Sequence, residues 1–134
     1  QQTMTVTADK KVQISDLHFE LNLWLNEFKF YKDEIKIFKK RLEEIVSRNT
    51  DMEVMKEVEH FENQYLRERE VIDELRHEVK QHENLIEKEA KDHPVAFDHR
   101  YMEDHAELRE QVKQFKKIYS ELREEFMVFL SKWM

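Results

Sequence analysis

Glycine and cysteine are absent from this chain, and proline occurs once, at position 94. Without glycine there is no Gly-rich loop to cradle a phosphate, no hairpin built on Asn-Gly and no collagen-like repeat. Without cysteine there is no disulfide framework, no thiolate zinc site and no cysteine nucleophile, and the redox compartment leaves no trace. No apolar run approaches the roughly 18 residues of a membrane span. Residues 1–14 lack the apolar centre of a signal peptide. The expectation is a soluble chain without membrane partners, assigned by default to the cytoplasm.

What remains is rich in both apolar and charged residues, at 40 % each of 134 residues, a balance that suits a single helical-bundle domain rather than a disordered chain. The 30 acidic and 23 basic residues are interspersed and sum to -7. That net charge argues against nucleic acid or an anionic membrane held by bulk electrostatics.

The clearest pattern lies at the end of the chain. Tyr101, His105, Leu108, Val112, Phe115, Tyr119, Leu122, Phe126, Phe129 and Trp133 follow one another at spacings of four and three, which places them on one stripe of one helix. A second such stripe comprises Ile14, Leu17, Leu21, Trp24, Phe28, Tyr31, Ile35, Phe38, Leu42 and Ile45. A third comprises Val54, Val58, Phe61, Tyr65, Glu68, Ile72, Leu75, Val79, His82 and Ile86. Three long helices are predicted at about 15–48, 51–90 and 94–133, preceded by a flexible arm over 1–13. Ser15 is suited to cap the first. Asn49 is suited to a left-handed C-terminal residue, Thr50 with Glu53 to a capping box, and Pro94 to the first turn of the third helix. Short links favour antiparallel neighbours. The predicted fold is all-α, an antiparallel up-down-up bundle of three long helices with coiled-coil-like 4-3 core stripes.

Folding the chain at its two turns aligns the stripes into layers. Two of these layers contain polar residues. One sets Glu68 between Tyr31 and Tyr119, where phenol donors would satisfy a buried carboxyl. The other joins His82 and His105, with His18 at the same height and Glu78 and Asp104 beside them. Imidazole nitrogens and carboxylate oxygens are the ligand types of zinc or iron sites. His18, His82, His105, Glu78 and Asp104 are therefore the candidate metal ligands, although no cofactor is required by any motif. The inward Glu-x-x-His pairs of di-iron bundles are missing, since Glu74 with His77 faces outward. HExxH is absent as well. None of the serines has a histidine and an acid at matching height, so no catalytic residue is assigned and a non-enzyme is expected.

The first helix has a further apolar row, Phe19, Leu23, Phe30 and Ile37, on the side away from its core stripe. A three-helix bundle leaves this row in solvent, and an apolar face of that size marks an interaction site. The leading expectation is a helical interaction or scaffold protein that forms a homodimer, or binds a protein partner, through this face. The alternative is a metal-binding bundle holding Zn or Fe at the histidine layer for storage, sensing or trafficking.

Overall fold

A computed structural model describes residues 2–92 and 99–134. They form α1 (Gln2–Arg48), α2 (Met52–Asp92) and α3 (His99–Trp133). The described residues contain no strand, and each helix packs against the other two.

Two helix ends differ from the expectation. α1 begins at Gln2, so residues 2–13 continue the helix instead of forming a flexible arm ahead of Ser15. Nothing between Gln2 and Ser15 is glycine or proline, and extending an existing helix avoids the nucleation cost. α2 runs two residues past the expected end, to Asp92, and the expected start of the third helix at Pro94 lies outside the described residues.

The turn between α1 and α2 closes by means other than those expected. No described residue has a positive φ, so Asn49 does not adopt the left-handed conformation. Its side-chain Nδ2 instead donates to the carbonyl of Ile45 at 2.9 Å, which satisfies one of the last open carbonyls of α1. The capping box of Thr50 with Glu53 is not formed, because the capping residue is one position later. Asp51 Oδ1 accepts the Glu53 N–H at 2.8 Å, and the Asp51 carbonyl accepts the N–H of Met55 at 3.1 Å. A carboxylate at that point also faces the positive end of the helix dipole.

The interior is the set of residues that the spacing selects. All ten α2 positions are buried. In α1 the whole stripe is buried except Ile14 and Tyr31, which are half-buried, and in α3 the same holds for Tyr101 and Trp133. Glu34 is the one buried described residue outside the stripes. Rings fill the middle of the core. Phe126 lies 4.7 Å from Phe38, 5.2 Å from Phe61 and 5.3 Å from Tyr65, centroid to centroid, so a residue from each helix meets at one height. Tyr31 and Tyr119 are 4.4 Å apart.

Candidate functional site

His82 and His105 meet in the core. Nε2 of His82 lies 3.1 Å from Nδ1 of His105, and Nε2 of His105 lies 2.6 Å from Oε1 of Glu20. Glu20 in turn accepts from Arg109, with Nη2 at 2.7 Å from Oε1 and Nε at 2.9 Å from Oε2, a two-pronged charge-assisted contact. Trp24 stacks on His105 at 5.1 Å. The result is a hydrogen-bonded chain from a partly exposed ion pair inward to two buried imidazoles. An ionised Glu20 requires a proton on Nε2 of His105. Nδ1 of that ring then accepts from Nε2–H of His82, an assignment that follows from the bonding pattern.

Burial pushes the pKa of His82 below the ordinary imidazole value, and the neighbouring His105 adds to this while Asp104 opposes it. Burial also lowers His105, against the pull of Glu20 in the other direction. The Arg109 contact holds Glu20 below the usual carboxylate range despite its partial burial. Both histidines are therefore neutral near pH 7. Protonating either ring in the folded protein is opposed chiefly by its burial.

The expected ligand residues are not gathered around one point. His82, Glu78 and Asp104 border a groove of about 230 Å³ together with Glu107. His105 turns inward, with both ring nitrogens engaged within the protein. His18 is half-buried and makes no hydrogen bond, ion pair or ring contact with described residues. Among the described residues no group of three or more His, Cys, Asp or Glu is placed to hold one metal ion. Glu20 and Arg109 complete the histidine chain, and the periodic reading overlooked both because they lie beside the stripes rather than on them.

The second polar layer also differs in its pairing. Glu68 is buried as expected, but neither Tyr31 nor Tyr119 donates to it. The Tyr119 hydroxyl donates instead to Glu34 at 2.8 Å, and Arg123 Nε reaches the same oxygen at 3.0 Å. A carboxylate already held by a guanidinium is the stronger acceptor. Glu68 is left with a pKa raised by burial, and the Tyr65 hydroxyl is buried with no partner among the described residues.

Glu20 with Arg109, Glu27 with Lys116 and Glu34 with Arg123 form one ladder from α1 to α3, each pair seven residues beyond the last. On another face of α1, Phe19, Leu23, Phe30 and Ile37 are 72 %, 47 %, 59 % and 55 % exposed. Phe19 and Leu23 border a depression of about 310 Å³ with Asp16, Leu17, Glu20 and Arg109. No helix among the described residues is long and apolar enough to cross a membrane. No family model, curated protein or solved structure matches the chain.

Proposed function

We propose that this protein is a non-enzymatic interaction or scaffold protein, a single bundle that self-associates through the outer face of α1. The observation that carries the reading is the exposure of Phe19, Leu23, Phe30 and Ile37 in one row. Large apolar groups aligned on one face lose free energy in water that burial against a partner would recover, at about 25 cal/mol per Å². The bundle itself is up-down-up with coiled-coil-like seams. In support, α1 and α2 meet through pairs whose numbers run oppositely, Lys32 with Asp73 and Phe38 with Tyr65, while the α1–α3 ladder rises on both helices.

The partner that fits is a second copy. The row is centred on Phe28, so an antiparallel two-fold pairing sets Phe19 of one protomer opposite Ile37 of the other. In support, a depression beside Phe19 and Leu23 has the volume to receive an isoleucine side chain. The metal-binding alternative has less support, because a Zn or Fe ion at the histidine layer requires His105 to surrender its bond to His82 or Glu20.

The absence of cysteine offers a direct test of the pairing. Phe19→Cys and Ile37→Cys proteins, mixed and oxidised, are expected to form the mixed disulfide in preference to either homodimer. The two positions lie ~27 Å apart on one helix at 1.5 Å per residue. Homodimers alone would replace antiparallel with parallel pairing, and no cross-link in any mixture would remove the interface.

A further inference from the structure

α1 and α2 enclose a groove of about 380 Å³ lined by Leu25, Lys29, Lys32, Asp33, Lys36, Arg76 and Lys80. Its charge runs against that of the whole molecule. The chain carries seven more acids than bases, yet five cations and one carboxylate face this groove. Lys32 is neutralised by Asp73 at 2.8 Å. Lys29, Lys36, Arg76 and Lys80 make no ion pair with any described residue. The contrast with α3 is informative, because Arg109, Lys116 and Arg123 each meet a glutamate of α1. Acids are plentiful, yet four cations without an ion-pair partner among the described residues converge on a groove whose lining holds a single carboxylate, Asp33.

Like charges brought around one concavity repel each other, and the low-dielectric wall behind them focuses their field on whatever enters. The volume is that of a small-molecule site rather than a seat for a helix. Lysine and arginine approaching from two helices are suited to a ligand with several anionic groups at different angles, which is the chemistry of adjacent phosphates. We propose that this groove binds a compact anion carrying two or more phosphate groups, either free in solution or as the headgroup of a lipid. None of the four apolar residues of the α1 row lines this groove.

The test is calorimetric titration of sodium tripolyphosphate into the full chain at low ionic strength. Saturable binding is expected, weakening as salt screens it. Lys29→Gln, Lys36→Gln, Arg76→Gln and Lys80→Gln together should weaken it at least ~tenfold, by analogy with the loss of several phosphate contacts. All four side chains are exposed, so helical content should be unchanged. A charge-matched control, Lys56→Gln, Lys88→Gln, Lys113→Gln and Lys117→Gln, should bind as the parent does. Flotation with phosphatidylcholine vesicles, with and without a bisphosphorylated inositol lipid, separates the sources: capture only with the lipid assigns a headgroup, and no capture alongside tripolyphosphate binding assigns a free anion. Absence of tripolyphosphate binding, or equal losses in the two quadruple variants, would overturn the proposal.

Discussion

Tyr65 and Tyr119 are both buried phenols in the same stretch of core, and one hydrogen bond separates their roles. Tyr119 donates to Glu34, whereas the hydroxyl of Tyr65 has no partner among the described residues. Removing an unsatisfied hydroxyl relieves a desolvation cost, so Tyr65→Phe should leave stability unchanged or raise it by about 1 kcal/mol. Tyr119→Phe leaves Glu34 short of a donor and should lower stability by about 1–2 kcal/mol, measured by urea denaturation. Glu68 follows the first pattern. Its side chain is buried enough to raise its pKa, although its carboxyl oxygens are not sealed from solvent as the Tyr65 hydroxyl is, and Glu68→Leu should raise the melting temperature by a few degrees. The histidine chain sets the acid response. Folding lowers the pKa of His82 and His105, so below about pH 6.5 the unfolded chain binds protons that the folded chain refuses. Their contribution is therefore fully present above that pH and falls away as pH drops. Glu20, also lowered by folding, adds a second loss further into the carboxylate range. The double variant His82→Leu, His105→Leu should be more stable and should lose the first acid transition while keeping the second. A melting curve that declines between pH 7 and 5 as steeply as the parent would refute this account of the pair.

At the level of the helices, the core was legible because a 4-3 spacing has one structural meaning over so many turns. Every predicted position of α2 is buried, Glu68 and His82 included, since a polar residue within a long apolar stripe is carried inward by its neighbours. The partners of those polar residues were not legible. Glu20 and Glu34 are single acids in a chain rich in them, and only the folded register shows that Arg109 and Arg123 meet them. A signal was nevertheless present: Glu20, Glu27 and Glu34 recur every seven residues, as do Arg109, Lys116 and Arg123, a pattern easily taken for ordinary solvated faces. The ends of α1 and α2 that flank their shared turn, and the end of α2, were legible to within a residue or two, whereas the start of α1 lies thirteen residues before the expected Ser15; the competing caps Thr50 and Asp51 differ by one position. The cap assignment predicts that Asp51→Ala destabilises the protein by about 1 kcal/mol while Thr50→Ala does so by much less, in the same denaturation assay.

For the molecule as a whole, the three helices bury almost all of what their periodic stripes can bury, and the row of Phe19, Leu23, Phe30 and Ile37 remains outside. The polar chemistry of the core is largely internal, since His105 spends both nitrogens on neighbours and Glu34 is held by Tyr119 and Arg123. The proposed function therefore lies on the surface of α1, and the proposed anion site in the adjoining α1–α2 groove. Sedimentation equilibrium on the parent protein and on a Leu23→Glu, Phe30→Glu variant tests this most directly. Both substitutions are at exposed positions, so they should leave the bundle intact. The parent is expected at twice its 16.7 kDa chain mass at concentrations of tens of micromolar, roughly the range that a standard-sized interface should exceed, and the variant at 16.7 kDa. A parent that sediments at 16.7 kDa throughout that range, or a variant whose mass equals that of a dimeric parent, would contradict it.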